Sequence, residues 1–514
     1  MSAGQTESHR VLMIGLDAAD VVLIEQWMAD GTLPNLQALA ASGVFGTLAT
    51  TAAVLAGSPW PTFYSGQTPA QHGVYADYQW QHERLRFARP SAEWLATTGF
   101  WRHLEGDVPA LVYDCPMVLG VEPFKGTEVA AWATHDALTP PSSHPAELAG
   151  EIARRFGQWH TTSEAYGPSS IDTLLALRHE LLENTRRSTE LVLWLMQRPW
   201  RLGLVTFSAL HRGGHRLFDR SSVTGPMSPA DADTFDGALR DLYRSCDAAV
   251  GRLVAAAPDA TIVVFALHGM MRNTARVDLF DGMLERITTP SSGTPKRAGL
   301  ARRMGEAIPL DLRRSLTKRI PLAFRNRLMT MWTTGGMKWD TTSVFPLRAD
   351  LQGYARINLA GREPKGIVEP GPALDELCER IIEGLHSFRD TDTGDELVED
   401  VLRTDTYFPQ GGRRDRLPDL IVRWKDTPAA THASVRSPRY GVVQRTMPGR
   451  VPNGRSGNHR GTGFFIARGS GMPAGLRAGE ASILDLVPSV LHRLRVISRL
   501  PLGGAPIPAL VTGT

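Results

Sequence analysis

The chain has 514 residues, a formal net charge of +3, and 42% apolar and 21% charged side chains. So small a charge argues against a general nucleic-acid binder, which shows a strongly basic face, and the apolar share suffices for a large buried core. The three cysteines, Cys115, Cys246 and Cys378, lie far apart without CxxC pairing, so they suggest neither a disulfide framework nor a thiolate zinc site and read as structural thiols of a reducing compartment.

Met1 to Arg10 is polar and lacks the hydrophobic core of a leader peptide. No apolar run approaches the roughly 20 residues needed to cross a bilayer, so a cytoplasmic protein without membrane partners is expected. Val11 to Gly15 reads as a buried parallel strand that delivers Asp17 at its carboxyl tip. Asp20 suits a helix N-cap. Helices are expected over Val22–Ala29 and from Leu33-Pro34-Asn35 to near Gly43. Ser58 stands just before a further predicted helix, where a helix N-terminus stabilises an oxyanion. Trp132-Ala-Thr134-His135-Asp136 reads either as a loop with an Asx turn or as a substrate contact.

Ile171 to Gln197 has helical periodicity, Arg201 to Phe207 reads as a second buried strand, and Ala230 to Ala257 as a helix. Thr261 to Phe265 is a third strand, followed at once by His268-Gly269. Leu417 to Trp424 and Gly463 to Ala467 look like further strands, and Ser482 to Leu494 like a late amphipathic helix. Buried strands alternating with helices imply an α/β fold with a mostly parallel sheet sandwiched by helices, with ligands gathering at the strands' carboxyl ends. The whole of 1–514 is expected to form one such domain. Within it, Lys296 to Arg327 holds ten Lys/Arg against two Asp/Glu. That basic stretch reads as part of a helical insertion over 279–345, either a solvated face or a cap that attracts an anionic substrate.

Three further patterns carry chemistry. His211-Arg-Gly-Gly-His215 places two imidazoles four residues apart, on one face of a helical turn. Its glycine pair disfavours a plain surface helix and implies close backbone packing. His268 follows a buried strand and precedes a glycine, a position suited either to a metal ligand or to a core histidine bonded to backbone. His459 lies in Gly457-Asn-His-Arg-Gly461, which reads as a loop presenting its imidazole. His72, His103, His179 and His492 read as structural.

Together and in this order these residues resemble the alkaline phosphatase superfamily, in its type I phosphodiesterase/nucleotide pyrophosphatase branch. Val11–Asp17 with Leu33-Pro-Asn-Leu-Gln-Ala-Leu39 is similar to the family's opening strand, first metal aspartate and following helix. Trp60 to Gly73 is similar to its "W.s...TG..P..HG" block, and Tyr354 to Pro364 to its "N..GREP" segment. The resemblance implies two metal ions, mostly zinc, held by Asp17, His211, His215, His268 and His459 beside a Ser or Thr nucleophile that attacks phosphorus or sulfur and is then released by water. Trp60, Thr62, His135 and Asp136 are expected to shape the substrate pocket.

Three active-site positions depart from the family pattern. Ala56 occupies the nucleophile's place, which leaves Ser58 as the first hydroxyl to take it over. His211 replaces an aspartate, giving a three-imidazole set of His211, His215 and His459 that suits zinc with one open position. Leu267 replaces another aspartate, so the second site keeps only Asp17 and His268 as clear ligands. The expected activity is metal-dependent hydrolysis of phosphate esters with an anionic small-molecule substrate. The alternatives are a one-metal enzyme performing group transfer, sulfoester cleavage or a tailoring step, and a non-catalytic binding protein.

Overall fold

The structure is a computed structural model. It describes residues 9–92, 94–95, 98–119, 123–134, 137–157, 167–289, 337–429, 431–445 and 453–512. Val11–Leu16 (β1) is buried along its whole length. Its alternate side chains enter two different cores: Val11 and Met13 join one apolar cluster, Leu12, Ile14 and Leu16 the other. A strand covered on both faces needs apolar residues throughout, which is why no polar alternation interrupts this run.

Among the described residues the central sheet has ten strands, nine of them in series and Ala481–Ser482 beside Val44–Ala49, and most of its pairs are parallel. In chain order the main ones are β1, β2 (Val44–Ala49), β3 (Ala110–Tyr113), β4 (Gly126–Ala130), β5 (Ser142–His144), β6 (Leu202–Phe207), β7 (Thr261–Ala266) and a late strand, Thr462–Arg468. From one edge the order runs Leu476–Arg477, β2, Thr462–Arg468, β7, β1, β6, β3, β4, β5. The neighbours β7, β1, β6, β3 and β4 are parallel, whereas Thr462–Arg468 runs antiparallel to both β7 and β2.

Helices cover both faces. The long α4 (Ile171–Leu195) and α6 (Pro229–Ala255) contribute to one cluster, joined by α1 (Val21–Ala29) and α2 (Pro34–Ala41). The short α3 (Pro59–Ser65) and the late α9 (Leu486–Leu494) pack on the other. Asp20 caps α1 as expected, accepting from Val22 and Leu23 N–H. The Pro-Asn-Leu motif also has a physical reason. Buried Asp247 of α6 accepts from the backbone of Asn35 and Leu36 and from the Asn35 amide, which fixes α2 against α6.

A second sheet departs from the expectation of one layered domain core. β9 (Val344–Leu347), β10 (Gly353–Ile357), β11 (Val398–Arg403) and β12 (Leu420–Trp424) form an antiparallel sheet in the order β9-β10-β12-β11. With α7 (Val277–Thr288) and α8 (Pro372–His386) it encloses its own apolar cluster. The strand expected over Leu417–Trp424 therefore belongs to this sheet and not to the central one. The "GREP" segment works here as a buried charge network. Glu363 pairs with Arg356 and Arg362, and Arg362 also pairs with Asp419. Of the expected cap, residues 290–336, which include the basic stretch, lie outside the described residues. Among the described residues, no helix is long and apolar enough to cross a membrane.

Candidate metal centre

Three adjacent parallel strands, β7, β1 and β6, bring their carboxyl ends side by side. Asp17 follows β1 directly. His211 and His215 lie on α5 (Ala209–Arg216), two residues after β6, and His268 lies two residues after β7. His459 arrives differently. The segment expected to be a loop is a strand, β13 (Gly457–Arg460), paired with β8 (Gly269–Arg272) so that His459 sits opposite Met270. Flanking glycines suggested a loop, but here they permit a tight ribbon. A Cβ on Gly457 would lie 2.1 Å from the Gly214 carbonyl oxygen. The Gly213-Gly214 pair has the packing role expected of it, with Leu242 and Met270 filling the space that Cβ atoms would take.

The side chains converge. His211 Nδ1 is 2.7 Å from Asp17 Oδ2, and Trp60 Nε1 donates to Asp17 Oδ1 at 2.8 Å. His215 Nδ1 lies 3.0 Å from the Gly457 carbonyl oxygen. His215 Nε2 is then 3.1 Å from His211 Nε2 and 3.2 Å from His459 Nε2. Nitrogens held at ~2.05 Å around a tetrahedral ion stand about 3.3 Å apart, so the three-imidazole set already has the spacing of a ligand shell. A second group, Asp17, His211 and His268, also brings its ligand atoms within 4.8 Å of one another. His268 stacks on His459 with ring centroids 4.6 Å apart. Both of its ring nitrogens are buried without a hydrogen-bond partner among the described residues. Buried imidazole nitrogens left unpaired are costly unless a ligand satisfies them, so His268 is open to a bound ligand, while the facing Nε2 atoms of His211, His215 and His459 are the donor set that fits a divalent metal.

Electrostatics follow from this burial. Burial pushes the Asp17 carboxyl up, but the charge and hydrogen bond of His211, with His268 and Trp60, outweigh it and hold the pKa at about 2. Burial pulls His268 down to about 4, against the field of Asp17. The neighbouring strand end carries Asp114, which burial pushes up to about 8 despite N–H bonds from the 132–134 loop. Ala18, Asp114 and Ala131 follow β1, β3 and β4 with φ of 59°, 57° and 59°. A left-handed non-glycine residue costs roughly 1–2 kcal/mol, and this strain is gathered at the edge that carries the site.

The imidazoles of His211, His215, His268 and His459 line an open cleft. Its walls include Ala56, Trp60, Tyr75, Tyr78, Tyr354, Arg348 and Arg455. Arg455 and Asp350 approach to 3.4 Å. Of the expected pocket residues, Trp60 lines the cleft. Thr62 is buried beneath it, 3.0 Å from His72 Nε2. His135 and Asp136 lie outside the described residues. Ser58 is fully buried, and its Oγ donates to the Leu55 carbonyl at 2.7 Å and lies 2.6 Å from Thr51 Oγ1. The cleft is faced by Ala56 instead, whose N–H donates to Tyr354 Oη at 3.2 Å. Arg348, Arg455 and Asp77 line the cleft without having been singled out from the sequence. Each sits on a connection that carries no periodic pattern.

Comparison with known proteins shows what the chain as a whole is similar to. The sequence model described as type I phosphodiesterase / nucleotide pyrophosphatase matches residues 11–432. Human ectonucleotide pyrophosphatase/phosphodiesterase 5 is similar at 12% identity, over 97% of this chain and 97% of that chain, with a TM-score of 0.50. The murine counterpart shows 12% identity over 97% and 98% with a TM-score of 0.49. Phosphonoacetate hydrolase from Sinorhizobium meliloti 1021 shows 12% over 92% and 93%, with 0.46. No curated protein matches the chain.

Proposed function

This chain belongs to the type I phosphodiesterase/nucleotide pyrophosphatase family, divalent-metal-dependent hydrolases of phosphate esters, and from that premise we propose how its own residues serve the reaction. The metal is held within the cluster of Asp17, His211, His215, His268 and His459, and zinc suits its imidazole-rich donor set. When bound, such an ion polarises the phosphoryl oxygen, neutralises developing charge and activates water.

The chain's own groups do the rest. Arg348 and Arg455 line the cleft beside Asp77 and Asp350 and offer guanidinium donors to an anionic substrate. Trp60 holds Asp17 through its indole N–H and presents its ring to the cleft. Tyr75, Tyr78 and Tyr354 add apolar faces that exclude water from the reacting group. The attacking oxygen comes from water and not from a side chain. Ala56 faces the cleft without a hydroxyl, and the Ser58 hydroxyl is committed to Leu55 and Thr51 beneath it.

The observation that supports this reading most is the convergence of four imidazoles and one carboxylate under a cleft walled by two arginines. The test is turnover of aryl phosphodiesters and phosphomonoesters by protein loaded with zinc or manganese. Activity that a chelator abolishes and added metal restores is expected. Absence of turnover across the panel with metal bound would sink the reading.

A further inference from the structure

Asp17 stands where its family's first metal aspartate is expected, yet both of its oxygens are already engaged by protein donors. Oδ1 accepts from Trp60 Nε1 at 2.8 Å and Oδ2 from His211 Nδ1 at 2.7 Å. Asp17 is 1% exposed, so these bonds are shielded from water and geometrically fixed. A neutral imidazole has one N–H and one lone pair. With Nδ1–H given to Asp17, the lone pair of His211 lies on Nε2, the atom that faces His215 Nε2 at 3.1 Å. His215 is set in the same way, its Nδ1–H given to the Gly457 carbonyl and its Nε2 turned to His211 and His459.

The second ligand group shares His211 with the first. One neutral imidazole cannot serve two ions, because its second nitrogen carries a proton until the ring becomes an anion. Leu267, where the family carries another carboxylate, is 1% exposed and packs in an apolar cluster with Trp60 and Phe265. Without His211, and with Leu267 adding no donor, that second set keeps only Asp17 and His268, and Asp17 is occupied.

We propose that this chain holds a single metal ion between His211, His215 and His459, that Asp17 is a positioning carboxylate orienting His211, and that His268 contacts the reacting group instead of a metal. The assignment rests on the metal-dependent reading above and narrows it. His268 fits the role because it is 2% exposed, adjoins His459, and has neither ring nitrogen bonded among the described residues. A substrate oxygen or the attacking water satisfies it. Carboxylates that receive the far N–H of a ligating histidine raise its basicity and fix its ring, and losing one lowers metal affinity by roughly 10–100-fold.

The experiment is titration of full-length, metal-stripped protein with Co2+ and Zn2+, read by visible absorption and elemental analysis and run beside the hydrolysis assay. The wild type is expected to saturate at one equivalent. Asp17→Asn should still bind one equivalent, about 10–100-fold more weakly, with Asp17→Glu closer to the wild type. His268→Ala should bind one equivalent within about threefold of wild-type affinity while its hydrolysis falls at least ~100-fold. His459→Ala should bind weakly or not at all. Two equivalents in the wild type, reduced to one in Asp17→Asn or His268→Ala, would overturn the assignment and point to an anionic His211 bridging two ions. One equivalent with no phosphoester turnover would keep the single-metal site and the positioning role of Asp17 but defeat the hydrolase reading and with it the role of His268, so the two failures are separable.

Discussion

His215 Nδ1 lies 3.0 Å from the carbonyl oxygen of Gly457, so the residue that begins the ribbon carrying His459 also sets the tautomer of His215. The two elements meet with no room between them, since a Cβ at Gly457 would lie 2.1 Å from the Gly214 carbonyl oxygen. Gly457→Ala must separate backbone from backbone. It is expected to cost about 1–3 kcal/mol in chemical denaturation and to weaken zinc binding at least ~10-fold. Gly237→Ala, in α6 with open space around it, serves as the control and should stabilise by about 0.5–1 kcal/mol. Equal metal affinity in wild type and Gly457→Ala would show that the ribbon does not set the ligand geometry.

Arg348 lines the same cleft as Trp60, Arg455 and Asp350, and the last two approach each other to 3.4 Å. Arg348 can supply a charged hydrogen bond to an anionic substrate there. A hydrogen bond to a charged group is worth about 1.5–3 kcal/mol. Arg348→Ala should therefore raise KM by roughly tenfold or more with kcat little changed, and Arg348→Lys should recover part of the loss. Added salt should raise the wild-type KM more than that of Arg348→Ala. An unchanged KM in Arg348→Ala would remove this arginine from substrate binding.

His72 links fold stability to pH. Its Nδ1 accepts the Val74 N–H at 3.0 Å, so the neutral ring carries its proton on Nε2, beside Thr62 Oγ1. Protonation would turn a second N–H against that of Val74. Burial, with the charge of Arg413, pulls its pKa from 6.5 down to about 3. The unfolded chain thus takes up a proton that the folded chain refuses. This stabilisation is complete above pH 6.5 and is lost as pH falls toward the folded value. The loss by pH 5 is about 2 kcal/mol. In His72→Asn the amide oxygen can accept the Val74 N–H without titrating. Denaturation midpoints between pH 7 and 5 should fall less steeply for that variant, and parallel slopes would contradict the assignment.

The legible parts of the site were those with a local cause. Asp17, His211 and His268 follow apolar strands directly, and a buried parallel strand must end by delivering something polar at the sheet's carboxyl edge. The α5 glycine pair announced close packing, and Leu242 and Met270 are what it packs against. What stayed hidden had no local cause. β2, β3 and β4 are only four to six residues long and resemble any apolar stretch until their sheet neighbours are known. Arg348 and Arg455 reach the cleft from connections more than a hundred residues apart, joined only by the folding of the second sheet onto the first. Ser58 shows the reverse limit. Its place before α3 was readable, but its backbone is already helical, with φ −94° and ψ −16°, and its hydroxyl turns back to Leu55.

That orientation leads to the sharpest chemical prediction. A nucleophilic side chain gives two displacements at phosphorus and overall retention, whereas direct attack by water gives one displacement and inversion. Ala56 lines the cleft without a hydroxyl, while the Ser58 Oγ is buried 2.7 Å from Leu55 O and 2.6 Å from Thr51 Oγ1. Hydrolysis of a chiral phosphorothioate ester in isotopically labelled water should therefore invert configuration, and acid quenching during turnover should trap no phosphorylated protein. Ser58→Ala should keep kcat within about threefold of wild type and lose about 1–2 kcal/mol of stability from its two broken hydrogen bonds. Retention of configuration, together with a trapped phosphoprotein that disappears in Ser58→Ala, would mean that the 55–58 turn rearranges on binding substrate and that the serine attacks after all.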